Sequence, residues 1–212
     1  MYKSLMKSFK IILVFFLVFA TLDLFGSGCK KEQAPQIKHM AEGKKFLLII
    51  APTDFQDKEY SDTREALEKA GVLVSVASLK TGEARGKFGK RVNVDLSVDD
   101  VKIENYDGVA FIGGPGMVDL VSNPKFTDLA KKFYQSDKIT AAICIAPLIL
   151  SNAGILKEKK ATVWPSAEKE LKKGGCVYTG RPVEVDGKVI TGNGPDAAAE
   201  FGEKIVEMLF RE

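Results

Sequence analysis

ITAAICIAPLILSNAG, Ile139 to Gly154, decides how this chain is read. Ile139–Cys144 is an apolar run of strand length. Ala146–Leu150 continues apolar but reads as a helix, stopped by Gly154. Cys144 sits at the seam. A strand that is apolar throughout has no solvent face, so it belongs in a parallel sheet covered on both sides.

The same unit recurs on either side of it. FLLIIA (Phe46–Ala51) is strand-like, and EYSDTREALEKAG places Tyr60, Ala66, Leu67 and Ala70 at helical spacing before Gly71. VLVSVAS (Val72–Ser78) is strand-like again, and the polar stretch Leu79–Asn105 reads as a hairpin or an irregular excursion. Val109–Ile112 is a buried strand ending in a glycine turn. Asn123 then caps a helix with Pro124 at its first position and Phe126, Leu129, Ala130 and Phe133 on one face. KATVWP, SAEKELKKGG, CVYTG and a C-terminal helix with Pro195 near its start continue the alternation. VEVDGKVITG differs: Asp186-Gly187 between β-branched runs predicts an antiparallel hairpin. The expected fold is α/β, a doubly wound and mostly parallel sheet with helices on both faces, a flavodoxin-like sandwich with a late β-hairpin.

The chain has 212 residues, 45% hydrophobic and 28% charged, which suits one packed domain plus an appendage. Net charge is +3, of which Lys3, Lys7 and Lys10 against Asp23 supply +2 within the first 28 residues. The near-neutral remainder offers no electrostatic basis for a nucleic-acid partner. The N-terminus has a basic n-region, an apolar run from Ile11 to Leu22 and small residues ending at Cys29, the layout of a secretory signal peptide. That run is shorter than the ~20 residues a spanning helix needs. GSGC resembles a bacterial lipobox with Gly26 in place of the usual Leu, so Cys29 is the expected lipidation site; cleavage without lipid and an uncleaved anchor are the alternatives. The expected organisation is a signal peptide at 1–28, a polar tether at 29–44 and a domain at 45–212. The expected location is the cell envelope, anchored by lipid to a bacterial membrane. His39, the only histidine, falls in the tether and reads as solvated.

In open parallel sheets, ligands bind beyond the carboxyl ends of the strands. Three stretches put unusual residues there. Cys144 at a sharp strand-to-helix turn has the placement of a nucleophile elbow. The helix N-terminus behind it is expected to lower its pKa, whereas a buried small hydrophobe is the plainer alternative. FIGGPG places Gly113 and Gly114 after a buried strand, where the backbone comes close to something, or merely turns. Its spacing fits neither a dinucleotide fingerprint nor a P-loop, and no cofactor or metal is implied. If it faces Cys144, its N–H groups and that of Ile145 form an oxyanion pocket. APTDFQDKEY holds Asp54, Asp57 and Glu59, which as helix-start acids need no function.

DGVAFIGGPG, AAICIAP with LSNAGILKEKKATVWPS, FQDKEY…LEKAG and VDGKVITGNGPDAAAEFG together resemble the ThiJ/PfpI family of the class I glutamine amidotransferase-like superfamily, over essentially all of Lys45–Glu212. The resemblance implies that Cys144 is the elbow cysteine, with Glu59 sharing a proton with it. It implies pocket backbone donors at Gly114 and Ile145, and a homodimer. The departures are histidines. Peptidase-like members have one after the cysteine, where Ile145 stands. Members with glyoxalase or deglycase activity have one in the strand after the elbow helix, where Trp164 stands as a pocket wall. Amidotransferases have one near the end of the domain, and this chain has none. Two readings follow, beside a third in which the domain is an interaction scaffold and the cysteine a family relic. One is a glutamate-assisted cysteine acting slowly on small reactive carbonyls. The other is a non-enzymatic, redox-sensing or stress-protective module in which an oxidant converts Cys144 to sulfenic and then sulfinic acid. Cys176 is expected to pack as a free thiol, with a disulfide to Cys144 as the alternative.

Overall fold

A computed structural model describes residues 43–211. The leader, Cys29, His39 and nearly all of the tether lie outside the described residues. In chain order the strands are β1 (Lys45–Ile49), β2 (Thr53–Phe55), β3 (Leu73–Ser78), β4 (Gly82–Gly86), β5 (Arg91–Val94), β6 (Leu96–Ser97), β7 (Gly108–Phe111), β8 (Ile139–Ile143), β9 (Lys160–Ala161), β10 (Val177–Tyr178), β11 (Val183–Asp186) and β12 (Val189–Gly192). The helices are α1 (Asp57–Lys69), α2 (Pro124–Gln135), α3 (Pro147–Asn152), α4 (Glu168–Lys173) and α5 (Ala198–Leu209).

Seven strands form the main sheet in the order β11-β12-β8-β7-β1-β3-β6. All neighbours are parallel except β11 and β12, which make the hairpin expected at Asp186-Gly187. Gly187 takes φ +61° in that turn, a conformation that costs a residue without Cβ nothing. The central strands are buried along their length, as the unbroken apolar runs require: Phe46–Ile49 of β1, all of β7 and all of β8. α1 and α5 pack together, while α2, α3 and α4 form a second group. The fold is therefore the doubly wound α/β sandwich read from the sequence.

Two regions are organised differently from the plain alternation. The polar excursion after β3 contains the antiparallel pair β4–β5, extended by β2 into a separate three-stranded sheet. KATVWP and CVYTG do not enlarge the main sheet. Their strands, β9 and β10, pair with each other over two residues. The edge they would have joined is already taken, because β12 pairs in parallel with β8 from Val189↔Thr140 to Gly192↔Ile143.

The order of the main sheet sets up the site. β7 lies between β1 and β8, so the turns leaving these three strands meet at one end. The helix carrying Glu59 is held there by a close approach of α1 to α5. A Cβ on Gly202 of α5 would sit 2.7 Å from Ala66 Cβ and 3.2 Å from Thr63 Cα. Gly202→Ala gains helix propensity of about 1 kcal/mol, yet overpacking of this kind costs about 1–3 kcal/mol. A net drop in the urea midpoint is expected, against the rise that helix propensity alone would produce.

Candidate active site

The elbow is a strained residue held by backbone on both sides. Cys144 has φ +65°, left-handed for a residue with a Cβ, at a cost of about 1–3 kcal/mol that the surroundings must offset. Its N–H donates to the Gly192 carbonyl at 2.9 Å, and its own carbonyl accepts from the Trp164 N–H at 2.7 Å. The β12 end and the segment after β9 thus pin the turn between β8 and α3. The strain aims the side chain out of the sheet edge instead of along it.

The glycine turn after β7 admits the cysteine and the glutamate. A Cβ on Gly113 would lie 2.5 Å from Cys144 Cβ and 2.9 Å from Glu59 Oε2. No other residue type fits between them. Gly114, at φ +112°, has no room either: a Cβ there would sit 2.5 Å from both the Asp54 carbonyl oxygen and the Gln56 nitrogen. The Gln56 N–H donates to the Gly113 carbonyl at 3.0 Å. Gln56 also caps α1, its side-chain oxygen accepting from Lys58 N–H at 2.8 Å. One short segment therefore starts the helix and docks it on the turn.

Glu59 is fully buried. Its Oε2 accepts from the Gly113 N–H at 3.0 Å, and Oε1 has no nitrogen or oxygen partner. Burial pushes its pKa up to about 8, against the lowering effect of hydrogen bonds with Cys144 and the Gly113 N–H. Burial also pushes the Cys144 thiol up to about 12, with the Glu59 charge as the second cause, while the Gly114 and Ile145 N–H groups lower it. This reverses the acidic thiol expected from a helix N-terminus. α3 is only six residues long and its Ala146 cap supplies no side-chain bond, so its dipole is weak beside the loss of water. Below about pH 8 Glu59 keeps its proton. The charge part of the push on the sulfur is then absent, and the carboxyl O–H faces the thiol as a donor.

Cys144 is half-buried and opens into a pocket of about 310 Å³. Gly114, Ile145, Trp164, Ser166 and Lys87 line it with the cysteine. Trp164 is 43% exposed and forms a wall, its ring so close to Gly194 that a Cβ there would come within 2.8 Å. Larger grooves run between α1 and α5 (about 660 Å³) and along β11 and α5 (about 400 Å³), but no cysteine lines either. The chemistry, not the size, selects the smaller one.

The three acids of APTDFQDKEY part ways. Asp54 is exposed with φ +56°. Asp57 accepts from Phe88 N–H at 2.9 Å and Lys90 N–H at 2.8 Å, fastening the tip of the β4–β5 hairpin. Only Glu59 reaches Cys144. Cys144 and Cys176 are both free thiols, and Cys176 Sγ lies 3.6 Å from the Leu171 carbonyl oxygen. Sequence reading did not single out Lys87 or Ser166. Both belong to polar connections with no periodicity or motif, and only the docking of the hairpin brings Lys87 to the pocket.

The raised Glu59 pKa makes stability depend on pH. Between pH 4.5 and 8 the folded protein holds a proton that the unfolded chain has released. Stability therefore falls as pH rises through that window, by roughly 1.4 kcal/mol per unit at most. Glu59→Gln keeps an acceptor for the Gly113 N–H and has no charge to bury. It is expected to match the wild type near pH 5 and to exceed it by about 2–4 kcal/mol at pH 8 in chemical denaturation. Parallel pH profiles for the two proteins would contradict the burial argument.

Comparison with known proteins identifies the family to which this fold belongs. The family model described as DJ-1/PfpI matches residues 44–208. An uncharacterized protein of Methanocaldococcus jannaschii is 38% identical over 96% of this chain and 98% of its own length. An uncharacterized protein of Staphylococcus aureus is 34% identical over 78% of this chain and 98% of its own. Among solved structures, a ThiJ/PfpI domain protein from Brachyspira murdochii superposes with a TM-score of 0.77 at 33% identity, covering 78% of this chain and 95% of that one. Drosophila melanogaster DJ-1beta gives 0.73 at 30% identity, covering 78% and 90%. The chain belongs to the DJ-1/PfpI family.

Proposed function

We propose that the described domain is a slow, cofactor-independent enzyme that uses Cys144 and Glu59 on small reactive carbonyls such as 2-oxoaldehydes. The observation that carries this is the Glu59 carboxyl, poised at about pH 8 against the only thiol of a small pocket. General acid–base groups work best with a pKa near the operating pH. In the first step the Cys144 sulfur bonds to the aldehyde carbon. The carbonyl π electrons move to oxygen, which takes the Glu59 proton, and the thiol proton passes to the Glu59 carboxylate. The product is a hemithioacetal, with Glu59 again protonated. After releasing that proton to water, Glu59 takes the proton from the thiohemiacetal carbon while the ketone oxygen gains one from water, giving an enediol. The Glu59 proton then goes to the neighbouring carbon while the first hydroxyl gives its proton back to water. This leaves a thioester of a 2-hydroxy acid and an ionised Glu59 that regains its proton from water. Water then cleaves the thioester, releasing the acid and restoring the thiol. The N–H groups of Gly114 and Ile145 receive negative charge developing beside the sulfur.

Ile145 and Trp164 stand where a histidine would supply a second acid–base group. Such groups contribute about 10²–10⁴-fold, so low turnover is part of the proposal. The oxidant-responsive reading draws on the same donors, Gly114 N–H, Ile145 N–H and the Glu59 O–H, which would hold the oxygens of a sulfinate. The raised thiol weighs against both readings, because the thiolate is the species oxidised and also the nucleophile; the enzyme reading meets this only by having Glu59 take the thiol proton as the sulfur attacks.

The test is methylglyoxal consumption with D- and L-lactate as products. Activity is expected to peak near pH 8, where Glu59 is present both in the protonated form that the first step uses and in the ionised form that the second uses. Cys144→Ser should abolish it, and Glu59→Gln should lower kcat by about 10²-fold or more. No turnover above Cys144→Ser, together with a 32-mass-unit gain under mild peroxide, would replace the enzyme by the oxidant-responsive protein.

We also propose that the domain is carried on a lipid-anchored tether at the cell envelope. The support is the lipobox-like GSGC before Cys29 and the polar segment that follows. A diacylglycerol thioether supplies two chains, enough for stable attachment. Radiolabelled palmitate is expected in the wild type and absent from Cys29→Ala; equal labelling of both would remove the anchor.

A further inference from the structure

The pocket that holds Cys144 contains one charged side chain, Lys87, beside neutral groups such as Ser166 and Trp164. Among the described residues, Lys87 has no carboxylate partner. It lies at the tip of the β4–β5 hairpin, a place where a surface lysine is ordinarily free to wander. Here three hydrogen bonds fasten the tip to the domain and one braces it internally. Lys87 N–H donates to the Phe55 carbonyl at 2.9 Å, and Gly86 N–H donates to the Lys90 carbonyl at 2.8 Å. Asp57 takes the N–H groups of Phe88 and Lys90. Gly86 is in turn so close to the Asp57 carboxyl that a Cβ would sit 2.5 Å from Oδ2. The ammonium lies 5.3 Å from the centre of the Phe88 ring, which covers one side of it without neutralising it.

Asp57 and Glu59 share the first turn of α1. One holds the hairpin that brings Lys87 to the pocket, and the other meets the sulfur. The cation and the reactive pair are thus set by a single rigid element, which is how a binding group is kept in register with reacting atoms. A carbonyl attacked by Cys144 would have its far end on the Lys87 side. With no acid in the pocket lining, that end gains by being negative.

We propose that Lys87 is a specificity-determining residue and that the favoured substrate is a short aldehyde bearing an anionic group, a carboxylate or a phosphate. This rests on the reading of Cys144 as a nucleophile toward carbonyls, and it makes 2-oxoaldehydes that carry a carboxylate or phosphate at the far end better substrates than neutral 2-oxoaldehydes.

The experiment compares alkylation of Cys144 by iodoacetate, an anion, with alkylation by iodoacetamide, its neutral counterpart, in the wild type, Lys87→Gln and Lys87→Arg. The ratio of the two rates cancels the thiolate fraction and needs no turnover. A single unpaired charge at the pocket should raise the iodoacetate-to-iodoacetamide ratio about tenfold over that of glutathione. The ratio should return to the glutathione value in Lys87→Gln, persist in Lys87→Arg and shrink in 0.5 M salt. Acetate and inorganic phosphate, as competitors of iodoacetate, identify which anion is preferred. Equal ratios in wild type and Lys87→Gln, or protection by neither anion, would overturn the assignment. The ratio of kcat/KM for 4,5-dioxopentanoate, an anionic 2-oxoaldehyde that would yield 2-hydroxyglutarate, over that for methylglyoxal should fall with the same substitution. A Lys87-dependent alkylation ratio without turnover of either aldehyde would leave the anion site standing and remove the enzyme reading alone.

Discussion

The site depends on the absence of a side chain at Gly113. A Cβ at this position would meet Cys144 Cβ at 2.5 Å and Glu59 Oε2 at 2.9 Å, one from the end of β8 and the other from the first turn of α1. Any Cβ there would push the two groups apart. The sheet order makes the contact possible, because β7 runs between the strand that leads to the cysteine and the strand that leads to the glutamate. The left-handed turn at Cys144 follows from the same geometry. It is held from both sides by backbone hydrogen bonds to Gly192 and Trp164, so its strain is offset by the sheet and not by anything the sulfur does.

Burial then sets the charge state. A cysteine before a helix suggests an acidic thiol, but a six-residue helix cannot outweigh the loss of water around the sulfur and the carboxyl. The pair is left with a proton to share instead of a stable thiolate. Glu59 is the group nearest neutrality in its titration and therefore the group able to move that proton. The resemblance implies a histidine at one or the other of two places in some members, where this chain has Ile145, apolar, and Trp164, aromatic. Of the three acids near the start of α1, Glu59 is the one that meets the sulfur, and Trp164 forms a wall of the pocket.

Much of this was legible from residue order. Apolar runs of strand length between helical stretches required a covered parallel sheet, and Asp186-Gly187 required the late hairpin. Cys144 and the glycine pair at 113–114 stood out because their residue types are unusual where they fall. Glu59 did not stand out alone. With Asp54 and Asp57 beside it, an acidic helix start was a sufficient account, and only the family resemblance chose among the three. The structure explains the choice: the third residue of the helix turns inward, whereas Asp57 turns to the β4–β5 hairpin and Asp54 to solvent.

The sequence by itself determined the α/β layering, the position of the elbow and the lack of any histidine in the domain, since periodicity and composition are local properties of the chain. Tertiary structure alone decided which carboxyl meets the sulfur, the direction of both pKa shifts and the presence of Lys87 in the pocket. Those depend on desolvation and on contacts between segments tens of residues apart. A polar loop has no periodicity to announce where it docks, and a titratable group has no sequence signal for the water it will lose.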